Sequence, residues 1–195
     1  MPIHELKICF DLNPESKSKT LNKYAKKFDL GYFFVDSEDG HCYLLDKDGN
    51  EKDISLIESI GENMVPIDIK KIVIPCGIKK IDRYAFYSCE NLIDITISNG
   101  VPSIGEKAFW YCSKLISMTI PNSVTSIGSD AFAYCNSLTS MTIPDSVTSI
   151  GWGVFYDCNR LDKIVFKSKT INQVKAMKNY PWGIEDESII KAELN

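Results

Sequence analysis

The residues with the most chemistry in them are thiols at a fixed interval. Cys89, Cys112, Cys135 and Cys158 stand 23 residues apart. A structural zinc site needs four ligands converging on one tetrahedron. Equivalent positions in successive copies of a repeat do not converge; they form a line, one thiol per copy. Neighbouring copies are close enough for a disulfide by Cα distance alone, but parallel Cβ vectors make its geometry awkward. The row is therefore read as small buried apolar groups. Asp46, Asp48 and Asn50 have the alternating oxygens of a calcium loop, yet such a loop needs glycine sixth and glutamate twelfth, and here Gly49 stands fourth and Ile57 twelfth. A turn is the reading instead. The two histidines, His4 and His41, lie in no nucleophile, zinc or phosphate-loop motif. Cys42 is next to His41, but neighbours on a strand point to opposite faces. No catalytic residue, cofactor or metal is expected, and the chain is read as not an enzyme.

The elements that carry the thiols repeat with them. Phe86, Phe109, Phe132 and Phe155 keep the same 23-residue interval. A unit this short cannot bury its apolar face alone, so such units stack in line as a solenoid. Each copy runs through an isoleucine strand, a turn often holding proline (Pro75, Pro121, Pro144), Ile-Gly, Ala-Phe, Cys and Leu. In Ile95-Thr96-Ile97 the isoleucines point one way and Thr96 the other, so each strand buries an apolar pair and shows a polar residue. Successive coils then form a parallel ladder, with strands about 4.8 Å apart. Leu92, Leu115, Leu138 and Leu161, with the Phe and Cys rows, fill the interior. Ala-Phe-x-x-Cys is too short for a stable isolated helix, which predicts about one helical turn there. The glycines at 105, 128 and 151 are expected to allow a tight bend or close packing of coils.

Three parts follow. Residues 1–53 do not repeat and read as a small α/β unit, with strands at Ile8–Phe10, Tyr32–Val35 and Cys42–Leu45 and a helix over Thr20–Phe28. The acidic stretch Asp36–Gly40 and Asp46–Asn50 form its turns. Residues 54–166 are the solenoid, opening with a worn copy at Ile57, Ile60-Gly61, Met64-Val65 and Ile69. Residues 167–195 are a cap. Thr170 and Gln173 make a capping-box pattern before a helix with Ile171, Val174 and Met177 on one face, ended by Pro181. Ser188–Leu194 then supplies a strand beside Ile164–Phe166, covering an edge that would otherwise invite pairing.

Composition narrows the functional classes. The 195 residues are 44% hydrophobic and 25% charged, as expected of a folded chain with a core. A net charge of -4 gives no general attraction to nucleic acid or anionic lipid, so neither is expected as a partner. No stretch approaches the roughly 18 apolar residues of a membrane span, and Met1–Lys7 lacks the apolar core of a secretory signal. Seven cysteines, an odd number, and the absence of any Asn-X-Ser/Thr sequon favour reduced thiols. The expected location is cytoplasmic, with surface or virion association as the alternative.

The run from Leu138 to Gly151, followed by Phe155 and Cys158, resembles the BspA-like class of leucine-rich repeats. The likeness covers roughly Ile54–Phe166, and Asn179–Ile184 is similar to a segment that closes some arrays of this class. The resemblance implies a curved solenoid without catalytic activity. It also implies roles in adhesion or protein recognition, among bacterial and protist surface proteins and some phage-encoded ones. The fold class is accordingly an α/β repeat solenoid: a short, right-handed array of five or six 23-residue coils with a parallel strand ladder, a small N-terminal α/β unit and a C-terminal cap.

Two surfaces are candidates for binding a protein or glycan partner. One is the outer face of the ladder, where Asp94, Thr96, Ser117, Thr119, Ser140, Thr142, Lys163 and Val165 should project. It is poor in charge: residues 98–158 hold four acidic and two basic side chains. The other is aromatic. Tyr87, Trp110, Tyr111, Tyr134, Trp152 and Tyr156 flank the inward Phe row and should be partly exposed, as anchors or as rings packed rung on rung. The chain is thus read as a non-catalytic recognition module, monomeric in preference to oligomeric. The alternatives are an assembly subunit of a phage or cell-surface complex, or an active N-terminal unit with the solenoid as its targeting arm.

Overall fold

The computed structural model describes residues 59–194 other than 63, 64, 66, 68 and 75–77, with backbone alone at 32–36, 42–46, 51, 52, 71 and 73. The strand at Ile8–Phe10, the helix over Thr20–Phe28, residues 37–40 and 47–50 of the two turns, Ile54, Ile57, Met64, Pro75 and the two histidines lie outside the described residues. Three strands, β1 (Tyr32–Asp36), β2 (Cys42–Asp46) and β3 (Glu51–Lys52), pair antiparallel in chain order. Tyr32 faces Asp46 and Leu44 faces Lys52.

From Ser59 the chain winds into a solenoid with three hydrogen-bonded walls. Two-residue strands build one wall: β4 (Ser59–Ile60), β6 (Lys80–Ile81), β8 (Ser103–Ile104), β10 (Ser126–Ile127) and β12 (Ser149–Ile150). The longer strands build another: β5 (Lys71–Ile74), β7 (Asp94–Ile97), β9 (Ser117–Thr119), β11 (Ser140–Ile143), β13 (Lys163–Lys167) and β14 (Ile190–Glu193). All pairs in both walls are parallel. Ile72, Ile95, Met118, Met141, Ile164 and Ile190 stand in one register line. The strand alternation follows the burial rule: in β7 and β11 the apolar residues are inside and Asp94, Thr96, Ser140 and Thr142 outside. Ile60, within the worn first copy, pairs in parallel with Ile81, so that part of the copy is a rung.

The wall of two-residue strands was not anticipated, because Ile-Gly reads as a bend. The glycine has a packing role. A Cβ at Gly105, Gly128 or Gly151 would lie 2.4, 2.5 or 2.3 Å from a backbone atom of the coil before it. Only a bare Cα allows that approach.

The third wall departs from the expected helical turn. Between Asp82 and Cys89 the N–H groups alternate: those of Ala85, Tyr87 and Cys89 bond three residues back. Those of Tyr84, Phe86 and Ser88 reach the next coil, at Glu106, Ala108 and Trp110. The pattern recurs one coil on at Lys107, Phe109 and Tyr111, and again at Asp130, Phe132 and Tyr134. Positive φ at Tyr84 and Ser88, at Lys107 and Tyr111, and at Asp130 and Tyr134 stops helix propagation and turns alternate donors outward along the stack.

The core is a column. Phe86, Phe109, Phe132 and Phe155 are at most 2% exposed and stack with centroids 4.9, 5.3 and 6.1 Å apart. Leu92, Leu115 and Leu138 are fully buried beside them.

The tail packs on the last coil. Helix α1 (Ile171–Lys175) has the capping box between Thr170 and Gln173, buries Val174, and leaves Ile171 40% exposed. It ends well before Pro181, so the proline does not terminate it. Trp182 is fully buried against Phe166, its carbonyl accepts from the Phe155 N–H, and its indole N–H donates to the Lys178 carbonyl. The Asn179 side-chain amide donates to the Ile150 carbonyl at 2.9 Å, where a further coil would have supplied a backbone N–H.

Candidate partner-binding surface

The thiols lie in the line that equal spacing dictates. Three of the Sγ–H groups donate back to the carbonyl of a Phe one coil earlier: Cys112 to Phe86, Cys135 to Phe109 and Cys158 to Phe132, at 3.1 to 3.2 Å. Burial pushes the Cys112 and Cys135 thiols far above their ordinary range and the Cys158 thiol up to about 12. Protonated thiols with a carbonyl partner are poor nucleophiles and poor metal ligands. The four are free cysteines, and no described group of His, Cys, Asp or Glu is arranged to hold a metal.

The outer face of the long-strand wall shows Asp94, Thr96, Ser117, Thr119, Ser140, Thr142 and Lys163 to solvent. Val165 does not belong with them. It is 7% exposed, because β14 adds a neighbour that brings Lys191 alongside it in register. Its hydroxyls offer hydrogen bonds but little apolar area.

The aromatic residues form a more distinct surface on the third wall. Tyr87 and Trp110 occupy the same position in successive coils and stack face to face, with centroids 4.7 Å apart and planes within 4°. The next coil has Ala133 there, and the gap is filled from the neighbouring column. Tyr134 lies edge-on to both Trp110, at 5.2 Å, and Tyr156, at 5.6 Å. Tyr111 closes the side, 5.3 Å from Trp110 and 6.0 Å from Tyr134. The result is a continuous strip of rings over the coils of Tyr87 to Tyr156. Tyr87, Tyr111 and Tyr156 are 39%, 37% and 47% exposed, and Trp110 and Tyr134 are half-buried. The rings pack rung on rung and remain partly exposed. Partial burial, then the nearby Tyr156, Asp157 and Asp130, raise the Tyr134 phenol above its usual range, so it stays a neutral donor.

Trp152 is the outlier. At 65% exposed it makes no ring contact with the strip among the described residues. Tyr84 was missed by sequence reasoning because the same position holds Lys107, Asp130 and Gly153 in later coils. It extends the strip at its first end, edge-on to Tyr87 at 5.4 Å, with the Arg83 guanidinium 4.8 Å above its ring. A cleft of about 340 Å³ lies between the last coil and the tail, lined in part by Asp157, Asp162, Glu185 and Asp186. Asp186 is already engaged there: hydrogen bonds from the Ser188 side chain, then from its N–H, hold its carboxyl below the usual range.

Among the described residues no helix is long and apolar enough to cross a membrane. A family model, "BspA type Leucine rich repeat region", matches residues 59–179 in six copies. No curated protein matches the chain. Among solved structures, a leucine-rich repeat protein from Bacteroides ovatus is 27% identical with a TM-score of 0.56, the alignment covering 69% of this chain and 35% of that one. A leucine-rich cell surface protein from Faecalibacterium prausnitzii is 25% identical, TM-score 0.52, covering 75% of this chain and 42% of that one. A leucine-rich repeat protein of T. pallidum is 19% identical with a TM-score of 0.58, covering 83% and 78%, and supports the fold alone. The chain thus spans about a third of the length of the B. ovatus protein.

Proposed function

Because this chain belongs to the BspA-type leucine-rich repeat family, we propose that it is a non-catalytic recognition module whose aromatic strip holds a protein partner. The observation that carries this reading is the strip itself: five stacked or edge-packed rings, Tyr87, Trp110, Tyr111, Tyr134 and Tyr156, left accessible on a rigid wall. Tyr and Trp combine apolar area with a polar tip and dominate binding energy where they are centrally placed. Each ring is already held by its neighbours, and the backbone beneath is bonded coil to coil. Binding therefore orders few new rotamers, which is where rigid display gains affinity. The strip is short, so strong attachment requires several weak contacts or more than one copy.

The test compares two surfaces. A partner captured from the native source is titrated against the unaltered chain, Trp110→Ala/Tyr156→Ala, and Thr119→Ala/Thr142→Ala. Truncating anchors costs about 2 kcal/mol or more, so the aromatic variant should bind roughly 30-fold more weakly. The threonine variant should lose less than about fivefold. Equal binding by the aromatic variant, with its thermal unfolding unchanged, removes the strip as the site.

A further inference from the structure

β14 ends the order of the six-stranded sheet: it is bonded to β13 on one side and to no described strand on the other. Such an edge carries a row of unpaired N–H and C=O groups and is a template for another strand. One bond fixes which residues face outward. The Ser168 N–H donates to the Glu193 carbonyl at 2.7 Å. In a parallel pair the N–H and C=O of one residue point to the same side, and the side alternates along the strand. Lys191 and Glu193 therefore spend their backbone groups on β13. Ala192 and Leu194 direct theirs away from β13, as Ile190 does its carbonyl, while the Ile190 N–H donates to the Glu187 carbonyl.

We propose that this edge pairs with the same edge of a second copy of the chain, antiparallel and centred on Ala192, joining two solenoids end to end through one continuous sheet. The centre follows from the residues. At Ala192 the two-fold places Ala192 against Ala192, a pair that exchanges both hydrogen bonds, and Ile190 against Leu194, a pair that makes one, from the Leu194 N–H to the Ile190 carbonyl, because the Ile190 N–H already donates to the Glu187 carbonyl. Lys191 then faces Glu193 of the second copy at the non-hydrogen-bonded positions, where side chains approach most closely and opposite charges contribute most. Both side chains are exposed on the same face of the strand. Centring on Lys191 or Glu193 would set like charge against like charge and present backbone groups already used by β13. Centring on Ile190 keeps the backbone parity but sets Lys191 against Ile189.

Two further features fit this register. Leu194 is 70% exposed, whereas Ile190, which it would face, is 4% exposed, so the contact covers the most exposed aliphatic side chain of the described residues. Glu193 is ion-paired with Lys167 on its own sheet, and the second copy's Lys191 would place its carboxylate between two cations. An interface with the same patch on both partners is the commonest way for identical chains to close an assembly. The pair would carry two aromatic strips on one rigid body.

The test uses the full chain and three substitutions read by sedimentation velocity and light scattering from micromolar to near-millimolar concentration. The native chain should move from 22.0 kDa towards twice that mass as concentration rises. Ala192→Pro deletes an outward N–H and leaves the inward bonds of Lys191 and Glu193, so folding persists while self-association weakens by roughly 10- to 100-fold. Lys191→Glu and Glu193→Lys should each weaken self-association roughly tenfold. Mixed one to one, those two variants should recover native-like dimerisation, since each supplies the charges the other lacks. A native chain that stays monomeric throughout, a dimer indifferent to Ala192→Pro in a folded protein, or a mixture no tighter than its components would each overturn the proposal.

Discussion

Replacing Gly128 by alanine adds one methyl group at the place where two coils come closest. The new Cβ would stand 2.5 Å from the Glu106 nitrogen, 2.7 Å from the Gly105 carbonyl carbon and 2.8 Å from the Glu106 Cα. All three are backbone atoms of the preceding coil, so no side chain can swing aside. Gly128 is not in the left-handed region, so the penalty comes from packing alone. Relief requires the coils to part by about 1 Å, enough to break the 2.8 Å bond from the Gly128 N–H to the Ile104 carbonyl. That bond and a neighbour are worth about 1 kcal/mol each, and overpacking adds about 1–3 kcal/mol. The expected destabilisation is about 4 kcal/mol, a fall in Tm of about 8–15 °C for a chain of this size. Urea and thermal unfolding followed by circular dichroism read it directly, with Ser129→Ala as the control. In a relaxed backbone the same glycine-to-alanine change would stabilise by about 0.4–1 kcal/mol. A variant within about 0.5 kcal/mol of the native chain would refute close coil stacking at this wall.

Two further perturbations probe the column and its closure. Folding holds the Cys112, Cys135 and Cys158 thiols protonated, whereas an unfolded thiol ionises near pH 8.5. Their folded values are raised, so their contribution is whole below about pH 8.5 and is lost as pH climbs towards 12, at up to about 1.4 kcal/mol per pH unit per thiol. Urea midpoints between pH 9 and 10 should fall less steeply for Cys135→Ala than for the native chain, and identical slopes would contradict burial of that thiol. Asn179→Gly keeps the positive φ of Asn179 but deletes its bond to Ile150, and should cost about 1–2 kcal/mol. Hydrogen exchange should then quicken at residues 179–193 and stay unchanged around Phe109, whereas unaltered exchange in the tail would show that the amide does not secure it.

The column was legible because its residues are identical from coil to coil: a Phe and a Cys every 23 positions allow no arrangement but a line. The long-strand wall was legible for the same reason, through the alternation in Ile95-Thr96-Ile97. The third wall was not. Its left-handed residues are Tyr84, Lys107, Tyr111 and Tyr134 as often as Ser88, Asp130, Gly153 and Asp157, so the side chains do not announce the conformation, and Ala-Phe-x-x-Cys imitates a helical turn. Coil-to-coil hydrogen bonds impose it from outside the segment. Exposure of the aromatic residues followed from their place beside an inward Phe. Their contacts did not, since they depend on Ala133 leaving a space that Tyr134 crosses over to fill. Val165 failed as a displayed residue because its burial is set by Lys191, a neighbour 26 residues away on β14. Tyr84 failed to register because no later coil repeats it.

A crystal structure resolving the phenyl rings tests the stacked solenoid most directly. Phe86, Phe109, Phe132 and Phe155 should appear as one dry column, rings nearly parallel and about 5 to 6 Å apart, with Tyr87 stacked on Trp110 outside it. Phenyl rings found in solvent, or pointing in unrelated directions from coil to coil, would contradict the fold and, with it, the recognition surface built on its wall.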